Sequence, residues 1–99
     1  MQIEQGDIIF VEKIKEPLLV VSKNFFNTTE AVMVCPIVQN ADSGPLHIPI
    51  MSETVKGVVL CEQMRFLDLR VRGFKKTDRI LFDAIINITD AVQSIFDYY

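Results

Sequence analysis

Apolar residues are spread along this chain in two rhythms. As far as residue 74 they come in short runs set apart by turn-forming residues, and from Leu81 onward they recur at helical spacing. Ile8-Ile9-Phe10-Val11 and Leu18-Leu19-Val20-Val21 have the length of buried strands. Only Glu12-Lys13-Ile14-Lys15-Glu16 separates them from Pro17, so a tight hairpin connects them. Pro17 then takes the second strand's first position, where its missing N–H does no harm. Lys23 to Thr29 reads as a loop or short turn, with Phe25 and Phe26 available to plug a sheet edge. Ala31 to Ile37 is a third strand, ended or bulged by Pro36, and Asn40 to Pro45 is the clearest turn cluster. Leu46-His47-Ile48-Pro49-Ile50 alternates with period two and reads as an edge strand. Lys56-Gly57 opens a further strand, Val58 to Cys61, that runs straight into Glu62, Gln63 and Arg65. Arg70-Val71-Arg72-Gly73-Phe74 alternates again, with its two arginines on one side.

Leu81, Ile85, Ile88, Val92 and Ile95 fall at spacings that share one helix face, while Asp83, Asn87, Asp90 and Asp97 fall on the others. Such an aliphatic stripe is a packing face. Strands first, helix last and closely spaced turns predict an α+β domain, a mostly antiparallel barrel or sheet with a helix laid against it. A chain of 99 residues is enough for one domain, 1–99, with one modest core.

Charge changes this picture more than bulk composition does. The net charge of −3 argues against a general nucleic-acid binder. Residues 56–79, however, hold seven cations (Lys56, Arg65, Arg70, Arg72, Lys75, Lys76, Arg79) against three acids, a local excess of +4. That segment either meets phosphates or an acidic partner, or is a solvated strand face. No apolar run approaches the ~18–20 residues of a membrane span, and no leader pattern opens the chain, so the expected compartment is the cytoplasm. Cys35 and Cys61 both lie in apolar runs and read as small buried hydrophobes, with a disulfide disfavoured in that compartment. One histidine and no Cys/His cluster leave no zinc-site pattern.

No glycine-rich phosphate loop, nucleophile elbow or zinc-protease motif is present. His47 has a pKa within reach of acid–base work, or is simply an edge-strand surface residue. Glu62 and Arg65 either serve chemistry or form a buried ion pair at a strand end. The residues alone reach a small α+β domain with one basic, acid-containing strand end.

Four blocks in order carry a resemblance beyond that. Gly6-Asp7-Ile8-Ile9-Phe10-Val11, Pro17-Leu18-Leu19-Val20-Val21-Ser22, Val34-Cys35-Pro36-Ile37 and Gly57-Val58-Val59-Leu60-Cys61-Glu62-Gln63 through Arg65, Asp68 and Gly73 resemble the MazF/PemK toxin family. The resemblance implies a small SH3-like antiparallel β-barrel with a C-terminal α-helix, usually a homodimer. It implies the toxin of a type II toxin–antitoxin pair, a metal-independent endoribonuclease acting on single-stranded RNA without a cofactor and silenced by an acidic antitoxin. A base takes the ribose 2′-hydroxyl proton, an acid protonates the leaving oxygen, and cations hold the phosphate charge.

Carried over position by position, the resemblance is uneven. Glu16 stands where the family places a phosphate-holding arginine, on a shortened loop, and Val38 stands where it places a threonine. Leu60 occupies a position where some relatives place an arginine, and Leu46 one where a base-stacking phenylalanine often lies. Glu62 keeps the acidic position. Glu62 and Arg65 are therefore the expected catalytic residues, and Lys13, Lys15, Leu46, His47 and Lys56 the expected RNA-binding set. Gln63 and Arg65 are expected at the dimer interface. The alternative is a binding module on the same fold that has lost hydrolysis, and that holds an antitoxin or poisons a protein such as gyrase.

Overall fold

The computed structural model describes residues 2–96. Seven strands run β1 (Asp7–Val11), β2 (Leu18–Val20), β3 (Ala31–Val38), β4 (His47–Met51), β5 (Lys56–Leu60), β6 (Arg65–Asp68) and β7 (Phe74–Arg79). A four-residue helix α1 (Asn24–Asn27) follows β2, and a 13-residue helix α2 (Phe82–Ser94) follows β7. The strands form one curled antiparallel sheet in the order β4-β5-β3-β2-β1-β7, with β6 paired to β3. Among the described residues no helix is long and apolar enough to cross a membrane.

Alternation explains why so many strands are apolar on consecutive positions. Ile8, Leu19, Cys35, Ile37 and Val59 face one core, which α2 closes with Ile85 and Ile88. Ile9, Leu18, Val20, Val32, Val34 and Leu67 face a second core inside the curl of the sheet. Both faces of the central strands are thus dry, and successive apolar side chains all find a partner. Gly6 sits at φ +96, where a Cβ would also lie 3.2 Å from Ile85 Cγ1, so α2 packs directly over its backbone.

The cysteines sit in the helix-side core, buried and free. Burial pushes their thiols up, to about 12 for Cys35 and about 11 for Cys61. They are inert hydrophobes at neutral pH.

Several expectations need correction. Arg70 to Gly73 is turn and bend, with Val71 exposed, and the strand begins only at Phe74. Its Lys75-Lys76-Thr77-Asp78-Arg79 run is polar because β7 is an edge strand with one neighbour, β1. Phe25 is 76% exposed on α1 and plugs no edge. Leu81 precedes α2 and is 81% exposed, so the helical stripe starts one turn later, at Ile85. The stretch with Asp97 lies outside the described residues. Pro36 neither ends nor breaks β3, which continues to Val38.

The reason Pro36 is tolerated is also what builds the site. Ile37 N–H donates to Pro17 O across to β2 (2.9 Å), so the nitrogen of Pro36 faces the opposite edge. On that edge β5 pairs with Ile37 and Val38, and β6 with Ala31 to Val34. Cys61-Glu62-Gln63 forms a 3-10 turn between them, looped out of an otherwise continuous pairing along β3. No ladder partner faces Pro36 there, so its missing donor costs nothing.

Three cations of the basic segment are consumed by structure. Asp7, fully buried, accepts from Glu4 N–H at 2.8 Å and from Arg79 Nη1 at 3.2 Å, with Lys76 Nζ at 3.4 Å. Arg70 clasps Asp68 through two guanidinium contacts of 2.9 and 3.0 Å, holding that carboxyl down to about 2. Where the sheet ends approach, a side chain stands in for a ladder: Asp78 Oδ2 on β7 accepts from Thr54 N–H and Oγ1, both at 2.9 Å. The Ser52 hydroxyl, the Arg79 N–H and Thr54 hold the Asp78 carboxyl well below the usual carboxylate range. A depressed folded-state pKa adds stability that is present above the unfolded value, about 4, and is lost as pH falls through the folded one. The melting-temperature gap between wild type and Asp78→Asn should therefore be constant near neutrality and close on acidification below about pH 4. A gap independent of pH would mean the latch does not titrate.

Candidate active site

The β4–β5 hairpin sets His47 opposite Leu60, and Cys61 N–H donates to Leu46 O at 2.9 Å. The 3-10 turn then swings Glu62 back over β4. His47 Nε2 lies 2.9 Å from Glu62 Oε2, and His47 Nδ1 lies 2.6 Å from the Asp42 carbonyl oxygen. That carbonyl can only accept, so Nδ1 carries a proton. The contact at Nε2 is then a hydrogen bond only if one further proton lies between the ring and the carboxylate. The Glu62 carboxylate and the Asp42 carbonyl raise the His47 pKa, and the His47 hydrogen bond lowers that of Glu62. A proton between the two therefore favours the ring over the carboxylate. Both side chains remain accessible, 27% and 39% exposed. The expected Glu62–Arg65 ion pair is absent among the described residues, and Glu62 is paired to His47 instead.

One open cleft contains this pair, and a second lies close to it along the chain. The first, about 680 Å³, contains His47 and Glu62 with Val38, Gln39, Asn40, Leu60 and Gln63, and no lysine or arginine lines it. The second, about 650 Å³, gathers Lys13, Lys15, Arg65 and Arg72, together with Glu12 and Glu16. Among the described residues none of these four cations has an ion-pair partner. Lys13 is held at φ 67 in the β1–β2 connection. The two clefts share no lining residue, but their linings come close at two places. Gln63 lines the first and Arg65 the second, two residues and at most about 7 Å of chain apart. Val38 of the first extends the β2–β3 pairing toward Glu16 of the second, next to the Ile37 N–H to Pro17 O bond.

The expected residues thus divide. Glu62, His47 and Gln63 come together in the first cleft, and Lys13, Lys15 and Arg65 in the second. Leu46 is half-buried against the helix-side core, and Lys56 is exposed at the start of β5; neither lines either cleft. Gln63 and Arg65 are exposed, and neither side chain has a hydrogen-bonding partner among the described residues. The His47–Glu62 partnership escaped the sequence reading, although a hairpin turning at Ser52 to Val55 puts residues 47 and 60 opposite each other. Gln39, Asn40 and Arg72 were also missed.

A curled seven-stranded antiparallel sheet with one C-terminal helix, carrying a His–Glu pair in an open cleft, defines a small α+β fold. Residues 4–96 match the family described as PemK-like, MazF-like toxin of type II toxin-antitoxin system. The chain belongs to that family. It is 29% identical over 113 aligned positions to the endoribonuclease toxin ChpB of Escherichia coli, covering 93% of this chain and 96% of that one. Its fold superposes on a chain of the MazE-MazF crystal structure from Deinococcus radiodurans with a TM-score of 0.87, at 23% identity and 97% coverage of both chains. An endoribonuclease from a mycobacterial species superposes with a TM-score of 0.84, at 17% identity, covering 97% of this chain and 92% of that one.

Proposed function

We propose that this toxin is a cytoplasmic endoribonuclease that cuts single-stranded RNA, with Glu62 as base and His47 as acid. The observation that carries the reading is the 2.9 Å contact between the Glu62 carboxyl group and the His47 imidazole in an open cleft, where each favours the charged form of the other. Glu62 takes the proton of a ribose 2′-hydroxyl, and O2′ attacks the adjacent phosphorus. The P–O5′ bond breaks, His47 protonates the leaving O5′, and a 2′,3′-cyclic phosphate remains. Glu62 then holds a proton and His47 lacks one. Transfer across their own hydrogen bond restores the starting pair, so no cofactor is needed.

Arg65, where the linings of the two clefts come close, steadies the phosphate, while Lys13, Lys15 and Arg72 follow the neighbouring backbone. Glu16 lies among these cations and Val38 carries no proton, so the usual arginine and threonine of the family are replaced in role by Arg65 and the His47–Glu62 pair. An acidic antitoxin tail fits the same cationic cleft. The exposed, unpartnered Gln63 and Arg65 are the proposed contact between two copies in a homodimer.

Purified protein is expected to cut unstructured RNA into fragments ending in 2′,3′-cyclic phosphate and 5′-hydroxyl. Arg72→Ala should weaken binding about equally for every sequence and reduce the slope of log affinity against log salt by about 1. RNA left intact across varied sequences overturns the reading, and light scattering of the same sample as a concentration-independent monomer removes the dimer from it. Glu16 and Val38 favour a second reading, a non-hydrolysing module that binds an antitoxin or a protein target. Growth arrest on expression with cellular RNA intact is its signature.

A further inference from the structure

We infer that the turn of residues 40–45 is the positioning element of the acid–base pair, and that the Asp42 main-chain carbonyl decides which ring nitrogen of His47 exchanges protons. The inference rests on the His47–Glu62 pair of the reading above but not on cleavage. His47 Nδ1 lies 2.6 Å from Asp42 O, and Nε2 lies 2.9 Å from Glu62 Oε2. A ring turned over would set carbon against both oxygens, so the two acceptors fix its orientation. The turn that supplies Asp42 O is fastened on both sides. At its entry, Gln39 Nε2 donates to Lys56 O at 2.8 Å. At its exit, His47 N–H donates to Gly44 O at 3.1 Å, which closes a β-turn with Pro45 at its second position. The ring of Pro45 sets its φ there, and Gly44 before it is pushed toward extended conformations. The carbonyl is therefore held on Nδ1 although Asp42, Ser43, Gly44 and Pro45 are all exposed.

The consequence is a proton cycle that closes. A backbone carbonyl has no proton to give, so it keeps the Nδ1 proton on the ring for as long as the contact lasts. His47 then releases a proton from Nε2 alone. The neutral ring left behind is the Nδ1–H form, with its lone pair aimed at Glu62. Only that form can accept the proton that Glu62 has taken from the 2′-hydroxyl. A neutral ring with its proton on Nε2 would face a protonated Glu62 and offer it nothing to receive, so the pair would not reset by itself. Among the described residues, the titratable groups that line the cleft with His47 are Glu62, on the 3-10 turn, and Asp42 itself. Both favour the charged ring, Glu62 first through its hydrogen bond at Nε2 and Asp42 next through its carbonyl at Nδ1.

His47 is the chain's one histidine, so the chemical shifts of its two ring nitrogens can be followed by NMR without overlap. On the alkaline side of the ring's titration, wild type should show a protonated Nδ1 and a bare Nε2. Glu62→Gln should move the titration to lower pH and keep that pattern. Asp42→Asn, which keeps the carbonyl but removes the carboxylate, should keep it too. Inserting one glycine between Ser43 and Gly44 carries Asp42 O off the ring, and the neutral ring should then mix both forms. RNA cleavage by that variant should lose roughly 10- to 100-fold in kcat while RNA binding holds. Pro45→Gly, which loosens the turn without lengthening it, should shift the mixture in the same direction. A neutral wild-type ring with its proton on Nε2 would overturn the inference. So would a pattern lost in Asp42→Asn or Glu62→Gln, or one that survives in both turn variants. The expected pattern in a protein that leaves RNA whole keeps this inference and ends the nuclease reading. RNA cutting by a protein with the opposite pattern does the reverse.

Discussion

Glu62→Gln is expected to slow RNA cleavage by roughly 100- to 10,000-fold, the range lost when a positioned acid–base group is removed. The substitution keeps the size of the side chain and its acceptor oxygen toward His47, so binding of RNA in the cationic cleft should hold. What disappears is the ability to take the 2′-hydroxyl proton. The pH profile carries a second signature. The proposed mechanism requires Glu62 ionised and His47 protonated, and each group moves the other outward: the carboxyl lies below its ordinary value and the imidazole above its own. The wild-type profile should therefore be a broad plateau, with its limbs outside the ordinary values of about 4.3 and 6.5. In Glu62→Gln the anion that holds the imidazolium is gone, so the alkaline limb of the residual activity should move toward lower pH. His47→Ala should lose that limb altogether. Full activity in Glu62→Gln, or an unchanged alkaline limb, would remove this pair from the chemistry.

The same shifts bear on stability with opposite signs. The lowered Glu62 pKa contributes above its unfolded value and is lost as pH falls through the folded one. The raised His47 pKa contributes below its unfolded value and is lost as pH rises through the folded one. Both effects belong to an accessible ion pair screened by water, so they are small. The pair contributes little to holding the fold.

How far the chain can be read without coordinates follows from where its information sits. Runs such as Ile8 to Val11 and Ala31 to Ile37 announce strands because both of their faces are buried, so every apolar position is used. Phe74 to Arg79 announces nothing, since an edge strand facing water is free to be polar, and its ion pairs to Asp7 lie across about 70 residues of sequence. The local excess of cations in 56–79 was visible, but its meaning was not. Arg70, Lys76 and Arg79 are tied to acids, and the cationic cleft draws instead on Arg65, Arg72 and two lysines from another part of the chain. Glu62 stood out as an acid after an apolar run, yet its partner depends on a hairpin register and a looped-out turn. Neither leaves a mark on composition.

Ile88→Ala is expected to be the most costly of the core truncations in α2, by about 2–5 kcal/mol, or roughly 10–30 °C in Tm for a domain of this size. The helix has 13 residues and no side-chain N-cap at Leu81. Alone it would be marginal in water, so its order comes from the face it buries. Ile88 is the fully buried member of that face, set among Ile8, Leu19, Ile37 and Val59 of the sheet. Truncation leaves a cavity that sheet residues pinned by ladder hydrogen bonds cannot collapse to fill. Leu81 falls on the same predicted stripe but precedes the helix in water, so Leu81→Ala should stay within about 0.5 kcal/mol of wild type. Thermal melts of the two variants separate the docked helix from the helical spacing alone. Equal losses would mean that the stripe packs from Leu81, and that α2 lies on the sheet in another register. The consequence would reach the site, because α2 also packs against the turn that carries Glu62. A helix seated differently there would no longer hold the carboxylate against His47.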